Sequence, residues 1–272
     1  MTQVDVAVIP AAGRGTRMRP ATRVVPKALL TVVDRPAIQY AVEEAARAGA
    51  TEAILVVDLD AGHLVQRHFM GDDRLPGLEH VRVRPVVQEE PLGLGHAVLE
   101  AREMVGDRPF FCVLADDIVH PDHDVLSGLA EAAGTDDISV ICLQRLTEDQ
   151  LSSKGVVVPA SDEYGEVVEL AGAVEKPGPE RAPSRLGILG RYLFTPEVFE
   201  LLAGLEPGVG GEIQLTDAID ALGRRGRLRG VVADRELLDI GNPLGLLDAS
   251  VVLGLARFGD EFRRHLLDEL GS

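Results

Sequence analysis

Five cations fall close together near the start of this chain: Arg14, Arg17, Arg19, Arg23 and Lys27. They share the stretch IPAAGRGTRMRPATRVVPK, Ile9 to Lys27, with Gly13 and Gly15, and no Asp or Glu occurs between Asp5 and Asp34. In a chain of formal net charge -17 that local reversal of sign singles the stretch out. Glycines turn the main chain sharply and bare its N–H groups, while guanidinium and ammonium groups add charge, so the combination suits a polyphosphate. The plain alternative, a strand-to-helix turn with solvated arginines, leaves the reversal of sign unexplained. A Walker A loop fails by spelling, because Thr16, Arg17 and Met18 stand where a Lys followed by Ser or Thr is needed. A dinucleotide fingerprint asks for a small residue at Met18, although Asp34 lies about where a ribose-binding acid would fall.

Other residues complete a possible chemistry. Asp116 ends the apolar run FFCVLAD, which puts a hard carboxylate at the carboxyl edge of a sheet, where Mg2+ shared with substrate phosphates belongs. Asp117 follows it and could face a second substrate. Gln88 offers both a donor and an acceptor to a pyrimidine edge, and Gly93 and Gly95 in PLGLGHAV would let main chain approach a ring. The run DDIVHPDHD also contains His120 and His123, but no Cys or distant His motif completes a transition-metal set, and a solvated loop accounts for it better. Asp122, His123 and Asp124 spell the DxD of nucleotide-sugar-dependent glycosyltransferases, although a diphosphate donor needs less cation than the arginine loop supplies.

The spelling of GRGTRM with Pro26-Lys27, and VDRPAIQYAVEEA (Val33 to Ala45) after it, resembles the sugar-phosphate nucleotidyltransferases, the bacterial uridylyltransferases in particular. The resemblance continues through GLGHAV, the strand ending in LAD, Glu175-Lys176-Pro177, GRY, GGEIQLTDAID at 210–220 and the DIGN around Asp239. It implies formation of UDP-glucose and pyrophosphate from UTP and α-D-glucose 1-phosphate, with Mg2+ as cofactor. By that resemblance Arg17, Lys27 and Asp116 are the catalytic residues and Asp116 and Asp239 the metal ligands. Ala11, Ala12, Gly13, Gly15, Thr16, Gln88 and Gly93 hold the nucleotide. Asp117, Gly155, Glu175, Lys176 and Gly190 hold the sugar phosphate, with Arg191 on the same matching segment. Glu212, Gln214 and Asp217 either line the sugar side or orient ligands from behind it. A homodimer or homotetramer is implied too. Departures from the family pattern are Arg14, Ala28, Lys154 and a short segment between Phe69 and Val86, and they leave open dTTP or another sugar 1-phosphate as substrate. A nucleotide-sugar sensor is the non-catalytic alternative.

Strand-like runs at Val4–Ile9, Ala53–Val57, Val81–Val87, Phe110–Leu114 and Ile138–Leu143 alternate with helical spacing at Ala37–Ala48 and Gly95–Met104. Such alternation predicts an α/β fold, a mainly parallel, Rossmann-like sheet with helices on both faces, which places the Gly13 loop and Asp116 together beyond the strand ends. Short extended pieces from 155 to 195 read as an antiparallel sugar-side insertion. Helices are expected near Pro196–Leu202 and Ile213–Arg225, and VVADRELLDIG reads as a further strand. Residues 1–242 make the α/β domain and 243–272 a helical tail, whose apolar stripe (Leu246, Leu247, Val251, Leu255, Phe262) suits packing on the domain or a second subunit. At 272 residues the chain can bury one large core. Its acidic balance argues against general nucleic-acid or membrane binding, and 4% aromatic content without Trp against a base-stacking platform. Cys112 and Cys142 sit in apolar runs and read as buried thiols. With no apolar leader or spanning run, the expected location is the cytoplasm.

Overall fold

The computed structural model describes residues 3–71, 75–163, 165–233 and 237–271. Two expectations lie partly outside them: the short segment after Phe69, at 72–74, and the strand reading of VVADRELLDIG, at 234–236. Nine strands make the main sheet. In chain order they are β1 (Val6–Pro10), β2 (Glu52–Val57), β3 (Arg82–Val87), β4 (Phe110–Val113), β5 (Ser139–Arg145), β6 (Val156–Pro159), β7 (Val167–Val174), β8 (Leu186–Phe194) and β9 (Leu228–Val232). Their spatial order is β3-β2-β1-β4-β8-β5-β9-β7-β6.

The first four form the expected parallel block, with β1 in register beside both β2 and β4. The sheet then becomes mixed. β8 lies antiparallel between β4 and β5, so a piece of the 155–195 region runs through the middle of the sheet instead of along one side. All nine of its residues are buried, which explains why LGILGRYLF is apolar on both faces apart from Arg191. The outer strands β7 and β6 are antiparallel neighbours, as expected of that region.

Alternate side chains of the strands feed two apolar layers. Ala7, Ile9, Leu55, Phe111 and Val113 pack with α1 (Ala37–Arg47), α2 (Leu59–Met70) and α5 (Val125–Ala133). Val6, Val8, Ile54, Phe110 and Cys112 pack with α3 (Leu94–Leu99), α4 (Arg102–Val105), α6 (Glu197–Ala203) and α7 (Leu215–Arg224). Phe110 stacks on Phe199 with ring centroids 5.0 Å apart, and burying an aromatic of this size contributes about 1.5–3 kcal/mol. The helix expected over Gly95–Met104 is broken into α3 and α4. Both thiols are free and buried, and burial pushes each of them up, Cys142 to about 12.

The tail forms α8 (Pro243–Phe258) and α9 (Asp260–Leu270), separated at Gly259, whose φ of 59° ends the first helix. Asn242 caps α8 by accepting from the Gly245 N–H at 2.9 Å. Its docked face matches the expected stripe only in part: Ala249 and Leu253 are buried against Val32, Tyr40, Ile118 and Ile240 with Leu246 packed beside them, while Leu247 is 60% exposed. Among the described residues no helix is long and apolar enough to cross a membrane.

Candidate functional site

The loop after β1 does not lead into a helix. Thr16–Met18, Ala21–Arg23 and Lys27–Leu29 form three single 3-10 turns, and α1 begins only at Ala37. Gly15 has φ 56°, and a Cβ there would come within 2.9 Å of the Lys27 and Thr22 side chains. Thr22 closes the fold-back by donating from Oγ1 to the Gly15 carbonyl at 2.7 Å. Lys27 is thus packed against the loop it follows at a distance in sequence. A Cβ on Gly13, by contrast, would meet nothing within 4 Å, so the main chain there is open to a ligand. Met18 is buried in this turn, and Asp34 is held low by its hydrogen bond to the neighbouring Arg35, so neither serves a dinucleotide fold.

The loop borders a cavity of about 550 Å³. Ala11, Ala12, Gly13, Arg14, Gly15, Thr16, Arg17 and Lys27 line it on one side, Gln88 and Gly93 on another, and Asp116 at the end of β4. Ala28, Glu212 and Gly241 also contribute to its wall. Lys27 Nζ stands 2.6 Å from Asp116 Oδ2, with Lys27 12% and Asp116 41% exposed. Burial pushes the Asp116 carboxyl up, but the Lys27 charge and hydrogen bond, with Arg17 behind them, bring it below the usual carboxylate range.

A two-stranded pairing brings in the third acid. Leu238 and Asp239 run antiparallel to Asp117 and Ile118, with Asp239 opposite Asp117, and Ile240 N–H donates to the Asp116 carbonyl at 2.9 Å. Asp239 Oδ1 accepts from the Gly241 N–H at 2.6 Å. A Cβ on Gly241 would lie 2.6 Å from Asp239 Oδ1, 3.2 Å from Arg17 Nη2 and 3.4 Å from Lys27 Nζ, so the two cations and the acid meet around this residue. Asp117 has a different environment. Burial first, then the charge of Asp116, pushes its carboxyl up to about 6, and Asp239 adds to the effect while Lys154 and Arg191 oppose it.

A second group lies on the β6–β7 side. Thr216 Oγ1 donates to Glu175 Oε2 at 2.6 Å, and a Cβ on Gly155 would lie 3.3 Å from both of those oxygens. Lys176, in the left-handed region at φ 45°, stands 2.9 Å from Glu175 Oε1 and is 54% exposed. Asp217 belongs to this group: burial, then the Glu175 charge, raises its carboxyl. Thr216 gave no signal of its own beyond its place in QLTD.

Several expected residues sit elsewhere. Gly190 makes room for Leu114, which a Cβ would approach to 2.8 Å, and Gly95 makes room for the Ile213 carbonyl at 2.7 Å, so both are packing glycines. Arg191 is fully buried and is not among the residues lining the cavity beside Asp116. Its Nε lies 2.8 and 2.9 Å from the two Glu44 oxygens, and it donates to the carbonyls of Leu114, Gly190 and Asp117. Burial opposes its charge, and Glu44 more than restores it. Gln214 turns outward to Glu212 Oε2 at 3.0 Å. His120 and His123 face each other at 5.5 Å between ring centroids, and among the described residues no group of three His, Cys, Asp or Glu is placed to hold a metal alone. Asp124 is used as the cap of α5, accepting from Ser127 N–H at 3.0 Å, and Asp122 is 83% exposed, so the DxD spelling lies in a surface loop.

Comparison with known proteins gives this arrangement a lineage. A uridylyltransferase of Staphylococcus saprophyticus, UTP–glucose-1-phosphate uridylyltransferase 2, is 38% identical over 94% of this chain and 93% of its own. The UTP–glucose-1-phosphate uridylyltransferase of Bacillus subtilis is 38% identical over 92% of this chain and 91% of its own. Among solved structures, UDP-glucose pyrophosphorylase complexed with UDP-glucose superposes with a TM-score of 0.82 at 32% identity, covering 92% of this chain and 98% of that one. The UTP-bound enzyme of Acinetobacter baumannii gives 0.81 at 33% identity, over 97% and 99% of the two chains. The sequence profile of the nucleotidyl transferase family matches residues 6–254, a span that takes in the cation loop, Asp116, the Glu175 group and Asp239. The chain belongs to the nucleotidyl transferase family.

Proposed function

We propose that the chain transfers the uridylyl group of UTP to α-D-glucose 1-phosphate, giving UDP-glucose and pyrophosphate. The observation that carries it is the meeting of Arg17, Lys27, Asp116 and Asp239 around Gly241, beside a cavity whose other wall holds Gln88. The substrates come from the relatives named for UTP and glucose 1-phosphate and from the neighbours bound to UTP and UDP-glucose.

In this reading the main chain of Ala11, Ala12, Gly13, Gly15 and Thr16 receives triphosphate oxygens, and Gln88 with Gly93 receives the base. A phosphate oxygen of the sugar 1-phosphate attacks the α-phosphorus in line. The new P–O bond forms as the bond to the oxygen bridging the α- and β-phosphorus breaks, and its electron pair leaves with pyrophosphate. Arg17 and Lys27 neutralise charge on the reacting oxygens. Glu175, steadied by Thr216, accepts from sugar hydroxyls beside Gly155 and Asp117, and Lys176 takes the sugar phosphate.

Family members use a divalent metal, and the donors here fit Mg2+: Asp116 and Asp239 are hard oxygen ligands, and Lys27 against Asp116 marks a place where a cation is favoured. Bound there with substrate phosphates, Mg2+ would supply Lewis-acid neutralisation of the reacting phosphate. Residues 1–242 are the working unit of this reading and 243–272 an appended helical pair. Self-association as a homodimer or homotetramer accords with the exposed Leu244, Leu247 and Phe258 on α8. The need for UTP puts the reaction in the cytoplasm.

The same site would serve dTTP or another sugar 1-phosphate, since thymine differs from uracil by one methyl group. Pyrophosphate release across a matrix of nucleoside triphosphates and sugar 1-phosphates tests the reading. UTP with glucose 1-phosphate should give the highest kcat/KM. Binding of preformed nucleotide sugar without any pyrophosphate formation would replace it with the sensor or glycosyltransferase reading.

A further inference from the structure

The amide of Gln88, which is 8% exposed, is not free to turn. Its Nε2 lies 3.2 Å from the Gly93 carbonyl oxygen and 2.9 Å from His96 Nδ1. A carbonyl oxygen can only accept, so the nitrogen of the amide must be the atom on that side. One amide hydrogen goes to Gly93 and the other to His96, and Nδ1 must then be a bare acceptor. The single N–H of a neutral imidazole falls on Nε2, which stands 3.1 Å from Glu100 Oε1, one helical turn further on. Glu100 therefore selects the tautomer of His96, and His96 together with the Gly93 carbonyl fixes the orientation of Gln88. Among the described residues no group donates to Gln88 Oε1, and none of their side-chain nitrogens or oxygens is both buried and without a partner. That oxygen consequently opens onto the cavity Gln88 lines.

We propose that the Glu100–His96–Gln88 relay makes the site selective among pyrimidines by presenting a lone acceptor to ring position 3. Uracil and thymine carry N3–H there, whereas cytosine carries an unprotonated N3 that would face the Gln88 oxygen lone pairs. His96 and Glu100 act through Gln88 and are positioning residues. The inference rests on the reading of the cavity as a UTP site.

The relay can be loosened from its outer end, away from the substrates. In Glu100→Lys the ammonium can only donate, so it favours a bare Nε2 and moves the imidazole hydrogen to Nδ1. Two donors then face each other, so the Gly93 carbonyl alone still holds the amide and its oxygen is no longer fixed toward the cavity. The ratio of kcat/KM for UTP to that for CTP should fall roughly tenfold or more, the worth of one misplaced hydrogen bond. Glu100→Gln keeps an acceptor for His96 and should hold the ratio within about twofold. Thermal melting of both variants accompanies the kinetics, because a purely structural role lowers all triphosphates alike. An unchanged ratio in Glu100→Lys, or an equal fall for UTP and CTP, would overturn the relay. If the unmodified protein forms no pyrophosphate from UTP, the functional reading itself is lost, and the relay with it.

Discussion

Arg191 offers the sharpest prediction, because one side chain ties fold stability to the placement of Asp116. It is a buried cation, 1% exposed, held against Glu44, which is 5% exposed, and it also reaches the carbonyls of Leu114 at 3.2 Å and Asp117 at 2.6 Å. Those two carbonyls bracket Asp116. Arg191→Met keeps the length and removes the charge, leaving Glu44 ionised and unpaired in the core. Breaking a buried pair in this way costs about 3–5 kcal/mol. In a chain of this size that lowers Tm by roughly 10 °C. The double variant Glu44→Met, Arg191→Met removes both charges, and replacement of a whole buried pair by apolar groups is close to neutral. It does not restore donors to Leu114 and Asp117, each carbonyl losing about 1–3 kcal/mol of compensation and with it the fixed geometry of the loop between them. Urea unfolding with pyrophosphate-release kinetics separates the two effects. The double variant should be more stable than Arg191→Met but fall short of the parent, while kcat stays about tenfold low, a loss of about 1.4 kcal/mol in transition-state stabilisation. Recovery of both stability and kcat would refute the reasoning, and so would a single substitution that costs less than about 1 kcal/mol.

Three further outcomes are expected. Asp116→Asn should lower kcat by about a hundredfold or more with little change in Tm, since the lost Lys27 pair is partly exposed; a kcat within about threefold of the parent would remove Asp116 from the chemistry. Lys176→Ala should raise KM for the sugar phosphate several-fold, roughly 1 kcal/mol, and leave KM for UTP nearly unchanged, whereas equal effects on both would misplace the sugar site. Asp117, pushed up to about 6 first by burial and then by Asp116, is best tolerated uncharged, so its contribution to stability is complete below the unfolded value of 3.8 and is lost as pH rises through about 6. Asp117→Asn should therefore gain stability over the parent, by at most about 3 kcal/mol, above pH 6 and little at pH 4, and a gain confined to acid pH would contradict the assignment.

Much of this was legible because the physics is local. The sign reversal around Gly13, the carboxylate ending FFCVLAD and the alternation of apolar strands each depend on a few adjacent residues, and the structure places Arg17, Lys27 and Asp116 at one cavity. What escaped depends on contacts far apart in sequence. β8 is as apolar as a parallel strand, so nothing in LGILGRYLF reveals that it is inserted antiparallel at the centre of the sheet. Gly190 and Gly95 resemble ligand-facing glycines in spelling but make room for Leu114 and Ile213. Thr216 and Glu44 carry no distinguishing type, and Gly241 shows only as the glycine of DIGN; Glu44 leaves a trace as an acid on the same helical face as Ala41 and Ala45. Helix α2 was masked by Gly62 and a weak apolar stripe, although Asp58, which caps it by accepting from Ala61 N–H at 2.7 Å, marks its start. α5 was hidden behind the polar run whose last acid, Asp124, is its cap.

The most direct measurement is a crystal structure of the protein with UTP and Mg2+. The account predicts triphosphate oxygens against the Gly13–Thr16 main chain with Arg17 and Lys27 within hydrogen-bond reach, the base at Gln88, and the metal held by Asp116 and Asp239. Triphosphate density anywhere outside that cavity, or a metal bound without Asp116, would contradict it.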